Sequence, residues 1–167
     1  EVILDRVARE VQLARDLQQM PGAKNNDYLF MAFSGEEMGL LGSNWWTKHP
    51  TAPLEELNYM INLDMVGRLD SLNTVIINGV GTSPAWNKLR PDTTVAKKPR
   101  RSKKEAPPMD ALKVKTTESG VGPSDHTSFY LKDIPAIHYF TGAHEDYHKP
   151  SDDEARINYD GMLRVLH

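Results

Sequence analysis

Two carboxylates stand side by side in residues 33–43, FSGEEMGLLGS. They are Glu36 and Glu37, just after a glycine and just before an apolar, helix-like run. Adjacent acids repel, and each needs solvation. A solvated helix start is one explanation, because acids favour the positive end of the helix dipole. Metal chemistry is another. One glutamate can turn to a cation as a ligand while its neighbour stays uncoordinated and faces water as a general base. The dication, as the largest local charge, then answers the repulsion between them. A zinc hydrolase needs little more: nitrogen and oxygen ligands at about 2.0–2.2 Å, one position open for water, and that base.

Other residues of the right types recur along the chain. Asp64 lies in the apolar run NLDMVG, Asp125 and His126 in GPSDHTSF, and His144 and His148 in GAHEDYHKPSDD. A carboxylate inside an apolar strand is costly unless paired or coordinated, which makes Asp64 a candidate ligand. Asp125 and His126 follow a glycine-bearing turn and fit an N-cap beside a hydrogen-bonded histidine as well as they fit a site. The four-residue spacing of His144 and His148 would make a two-histidine clamp on a helix. Gly142 and Pro150 argue for a loop instead, so one of the two is expected to bind. His49 and His167 read as surface residues, and His138 as a satisfied histidine within a strand.

These residues must be positioned by an alternation of strands and helices. Leu4, Val7, Ala8, Val11, Ala14 and Leu17 fall on one helical face, so residues 2–20 read as an amphipathic helix that Pro21 and Gly22 end. Residues 28–33 (YLFMAF) read as a buried interior strand, 38–48 as a helix, and 59–65 and 74–79 as strands. Helix is expected at 83–89, strand at 112–116, and a short helix at 124–130 with Ser124 or Asp125 near its N-cap. A strand at 135–140 and a helix from 158 complete the reading. The order implies an α/β three-layer sandwich with a mostly parallel central sheet flanked by helices. Sites in such sheets gather at the carboxyl ends of strands, where GEE, Asp64 and the HEDYH run all fall.

The bulk numbers bound the rest. At 167 residues the chain suits one domain, read as 1–167, and not two. With no cysteine, there is neither a disulfide framework nor a thiolate zinc site. The net charge of -3 points to no nucleic-acid partner, and no apolar run nears the roughly 20 residues that span a bilayer. Residues 91–110 hold KKPRRSKKEAPP, a basic run without interleaved aromatic residues, and read as a surface excursion. Both ends of the chain fall in helix-like sequence without start or stop signals, which suggests a piece of a longer protein.

FSGEEMGLLGS, NLDMVG, GPSDHTSF and FTGAHEDYHKPSDD, in this order and spacing, resemble the M28 family of zinc peptidases, the cocatalytic aminopeptidases. The resemblance runs from about Tyr28 to the end and implies the phosphorylase/hydrolase-like zinc-peptidase fold. It implies that Glu36 is the general base, that Glu37 and His148 are ligands of one zinc, and that Asp64 is a ligand of the second. Asp125, His126 and Tyr147 match positions near the substrate cleft or behind the ligands, and Asp152 and Asp153 an acid that follows the ligand histidine. The implied activity is hydrolysis of an N-terminal peptide bond, with a peptide as substrate and an extracytoplasmic setting.

The family's upstream His-x-Asp segment and bridging aspartate are absent from this chain, so the fold is expected to be incomplete. Two zinc ions in the full site become one or none here, with activity impaired. Two alternatives stand beside the peptidase reading: glutaminyl-cyclase-like acyl transfer on the same fold, and a non-catalytic binding module that keeps it. Strand edges left open are expected to drive self-association.

Overall fold

A computed structural model describes residues 3–89 and 111–166. The basic run at 91–110 lies outside the described residues. The chain opens with helix α1 (Ile3–Gln19), stopped by a 3₁₀ turn at Pro21–Asn25. Helix α2 (Leu41–Trp46) precedes strand β1 (Met60–Leu63), and a 3₁₀ turn at Val66–Arg68 leads to β2 (Thr74–Asn78). A further 3₁₀ segment (Pro84–Leu89), β3 (Lys113–Thr117), helix α3 (His126–Tyr130), β4 (Ala136–Phe140) and helix α4 (Tyr159–Leu166) follow. Among the described residues, no helix is long and apolar enough to cross a membrane.

The four strands form one mixed sheet in the order β1-β4-β2-β3. β1 runs parallel to β4 and β2 parallel to β3, while β2 meets β4 antiparallel, with Ile77 opposite Tyr139. The reversal has a simple cause. Parallel neighbours need a crossover of a dozen or more residues, usually helical. Residues 64–73 between β1 and β2 hold a single 3₁₀ turn, so the chain comes straight back. Asp70 Oδ1 accepts from the amides of Leu72 (3.0 Å) and Thr74 (3.3 Å), which tightens that return.

Each face of the sheet carries a core. On one side Leu69, Val75, Ile77, Val80, Trp86 and Ile137 pack together. On the other, Trp46, Phe129, Ile134 and Ala136 are joined by Met31 and Phe33. Phe129 is fully buried and lies between Trp46 (ring centroids 5.5 Å apart) and Phe33 (5.9 Å). β2 follows the alternation expected of a strand with one buried face, with Val75 and Ile77 inward. β3 is an edge strand, and its exposed Lys113 and Lys115 blunt it against further pairing.

One expected strand is not formed. Residues 28–33 run without regular structure. Among the described residues, no backbone hydrogen bond joins them to a neighbour. Met31 and Phe33 still anchor the segment on the second core, while Tyr28, Leu29 and Phe30 stay 39–48% exposed. A strand needs a laddered partner, and hydrophobicity alone does not supply one.

Candidate active site

Three connections deliver the candidate residues, and each contains a residue in the left-handed backbone region. Gly35 (φ +66) turns residues 28–33 into the loop that carries Glu36 and Glu37. Met65 (φ +51) follows Asp64 directly at the end of β1, and His148 itself has φ +57. Glycine adopts this region freely, whereas methionine and histidine hold it at a cost of order 1 kcal/mol or more each.

The structure brings Glu37 and His148 together. Glu37 Oε1 lies 3.0 Å from His148 Nε2, with the side chains 64% and 50% exposed. A contact between polar groups this open to water contributes about 0–1 kcal/mol, no more than the left-handed backbone at His148 costs. Stability therefore does not account for the arrangement. Glu36 is half-buried, and its carbonyl accepts from Leu40 N at 2.8 Å and Gly39 N at 3.0 Å, which closes the turn into α2.

Asp64 sits just beyond β1 rather than inside it, and is half-buried. Its amide donates to Tyr139 O (3.2 Å), tying it to β4, and its Oδ2 accepts from Ser124 Oγ at 2.8 Å. Ser124 in turn accepts from Asn62 Nδ2 at 2.7 Å. The expected cap on α3 is thus not made: Ser124 serves Asp64, and Asp125 at the N-cap position offers no side-chain cap bond.

His126 and His138 stack 4.8 Å apart between α3 and β4, at 0% and 4% exposure. His138 Nδ1 meets Asn78 Nδ2 at 3.2 Å, while its Nε2 and both ring nitrogens of His126 have no hydrogen-bond partner among the described residues. The expectation of a fully satisfied His138 is half met. Burial brings both imidazoles from 6.5 down to about 4; for His126 the neighbouring His138 adds to the lowering and Asp64 opposes it.

Residues 142–152 form a loop of turns, as Gly142 and Pro150 suggested. Within it Tyr147 packs edge-on to His148, ring centroids 3.9 Å apart. His144 is largely buried, its Nε2 3.8 Å from Asp152 Oδ2. Asp152 accepts from Arg68 Nη1 at 2.6 Å and Asp146 from Arg68 Nη2 at 2.5 Å. The Arg68 hydrogen bond, followed by that from Ser151, holds the Asp146 carboxyl below the usual carboxylate range. Sequence reasoning singled out neither Arg68 nor Ser124 as partner of these acids. The sequence offers no local signal for Arg68, because the acids it meets lie 78 and 84 residues further along the chain.

Could these residues hold a zinc ion? Glu37 and His148 are donors of the types zinc takes, they meet from two different loops, and they are open to solvent. Among the described residues, no group of three or more histidine, aspartate or glutamate side chains converges closely enough to complete a shell. The pair fits part of a coordination sphere, and Asp64 stands apart on its serine.

A family model described as Peptidase family M28 matches residues 7–167. Among solved structures, the chain is similar to BSAP, a zinc aminopeptidase from Bacillus subtilis, at 25% identity and TM-score 0.55, over 81% of this chain and 32% of that one. It is similar to the LapA aminopeptidase of Legionella pneumophila at 24% identity and TM-score 0.56, over 80% and 34%. An aminopeptidase from Aneurinibacillus sp. strain AM-1 aligns at 23% identity and TM-score 0.52, over 80% and 29%. The chain therefore spans about a third of the length of these solved structures. No curated protein sequence matches it.

Proposed function

The chain belongs to peptidase family M28, and from that premise we propose that it carries the base and part of the ligand set of a zinc-dependent aminopeptidase centre. Glu37 and His148 would hold one zinc and Asp64 would contribute to a second, the remaining ligands coming from outside this chain. A bound zinc supplies Lewis acidity toward water and toward the scissile carbonyl. Glu36 is the base: its carboxylate takes the proton that water gives up and passes it to the departing amine. Ser124 keeps Asp64 oriented by its 2.8 Å hydrogen bond, and Asn62 holds Ser124. The substrate is the N-terminal residue of a peptide.

The single observation that carries this reading is the 3.0 Å contact between Glu37 and His148, two exposed donors whose proximity stability does not explain. The test is zinc per chain after dialysis against trace zinc, compared with Glu37→Ala and His148→Ala. One zinc per chain, lost in both variants, is expected. Glu36→Gln should keep that zinc, and any hydrolysis of an aminoacyl anilide by the unaltered protein should disappear in it. Zinc retained at the same level in Glu37→Ala and His148→Ala refutes the assignment, and no zinc above background in the unaltered chain refutes independent loading.

A further inference from the structure

We propose that Arg68 is a positioning residue: its guanidinium clamps the loop of residues 142–152 at two points and so holds His148 against Glu37. Arg68 ends the 3₁₀ turn that begins two residues after Asp64. Its side chain is 16% exposed, and those of Asp146 and Asp152 are 14% and 21%. One arm of the guanidinium reaches Asp152 Oδ1 at 2.6 Å and the other Asp146 Oδ2 at 2.5 Å. Those two carboxylates stand on either side of His148 in the chain. One planar cation therefore fixes both shoulders of the segment that presents the imidazole.

The anchor is itself held. Gly67 O, next to Arg68, accepts from Asn158 N at 2.8 Å, and Thr141 Oγ1 donates to Met65 O. Ser151 Oγ donates to the second oxygen of Asp146 at 2.8 Å, so that carboxylate cannot swing away. Remove the guanidinium and the two carboxylates lose the one cation that hydrogen-bonds both of them; Arg156 still acts on Asp146 and His144 Nε2 still lies 3.8 Å from Asp152, but neither ties the two together. Like charges then push the shoulders apart. The left-handed backbone of His148 persists only where the surroundings over-determine it, and the two-point clamp adds to the turn bonds of Lys149 N to Asp146 O (2.9 Å) and Asp152 N to Lys149 O (3.1 Å). Lysine at position 68 would restore one positive charge but not the fork, since an ammonium is a point charge on a flexible stem.

The chain lacks cysteine, so a two-cysteine variant reads out the loop directly. In Glu37→Cys/His148→Cys, a short bis-maleimide should bridge the two thiols rapidly. The same pair should bridge about tenfold more slowly with Arg68→Lys or Arg68→Gln added, at temperatures well below each variant's unfolding midpoint. Asp152→Asn, which removes one shoulder only, should fall between. Equal bridging rates in the unaltered, Arg68→Lys and Arg68→Gln backgrounds overturn the proposal. A second arm rests on the zinc reading. In the chain with Glu37 and His148 intact, Arg68→Lys should weaken zinc affinity, measured by competition with a chelating dye, by about 10- to 100-fold. Slow bridging in a chain that takes up no zinc sinks the metal reading and leaves the clamp standing.

Discussion

Mild acid should destabilise this protein before its carboxylates titrate, because two imidazoles are buried in neutral form. His126 and His138 are 0% and 4% exposed, and burial lowers both from 6.5 to about 4. The unfolded chain takes up these protons near pH 6.5 and the folded chain only near pH 4. Between those values the unfolded state binds more protons, so stability falls as the pH drops. For His138 alone the linkage costs about 2 kcal/mol on going from pH 8 to pH 5 and about 3 kcal/mol by pH 4. The steepest part approaches about 1.4 kcal/mol per pH unit. Asp146 acts in the same sense but at lower pH: its folded carboxyl is held low, so its contribution is lost only as the pH falls below its ordinary 3.8. The assay is urea unfolding at half-unit pH steps from 8 to 4.5, followed by the fluorescence of the buried Trp46 and Trp86. His138→Phe keeps a ring against His126 and removes one titrating site. Burial still holds His126 down, and only the smaller repulsion from His138 is relieved, so the slope should fall by roughly one proton's worth. A flat stability profile from pH 7 to 4.5 in the unaltered protein would refute the reasoning, as would a His138→Phe profile parallel to it.

Other perturbations test the packing and the site. Phe129→Ala empties the centre of the second core and should cost about 3–5 kcal/mol, read by chemical unfolding; a loss below about 1 kcal/mol would mean the aromatic stack is not a core. Gly79→Ala sets a Cβ 2.2 Å from Ala136 O at a φ of +86, so the β2–β4 contact must shift and the thermal midpoint drop sharply; an unchanged midpoint contradicts the pairing. Ser124→Ala leaves Asp64 Oδ2 and Asn62 Nδ2 without their shared hydroxyl and should cost about 1–3 kcal/mol, whereas no change would mean water replaces it at no cost. The open edge of β1, with Ile61 46% exposed, together with the unladdered residues 28–33, should make the mass in light scattering rise with concentration; a constant monomer mass counts against that.

The four strands of the sheet were legible in the sequence to within a residue or two, because Val75, Ile77, Val114 and Ile137 announce their faces by alternation or by apolar continuity. That GEE and the HEDYH run gather at one site was an expectation from strand order, whereas the meeting of Glu37 with His148 was implied by the family resemblance alone. The antiparallel entry of β2 was not read, although its cause was available: residues 64–73 are too short for a crossover. Residues 28–33 misled for the opposite reason, since apolar continuity reports burial on both sides only when strands stand on both sides. The partners of Ser124 and Arg68 were out of reach. A hydroxyl sixty residues from the carboxylate it serves, or a guanidinium that spans two loops, leaves no local pattern. Only the folded chain juxtaposes them.

The left-handed backbone at residue 148 restricts what evolution or an engineer can put there before any question of reactivity arises. Histidine, asparagine and aspartate enter that region far more readily than other residues with a side chain, and β-branched ones scarcely at all. Exchanging the imidazole for a carboxylate should therefore follow a narrow path: aspartate fits the main chain, while glutamate brings the same chemistry with a poorer conformational match. A saturation library at this codon, selected for folding alone, should already be enriched in glycine, asparagine, aspartate and histidine. In this loop the main chain sets the shortlist of donors, and selection for binding only chooses among them.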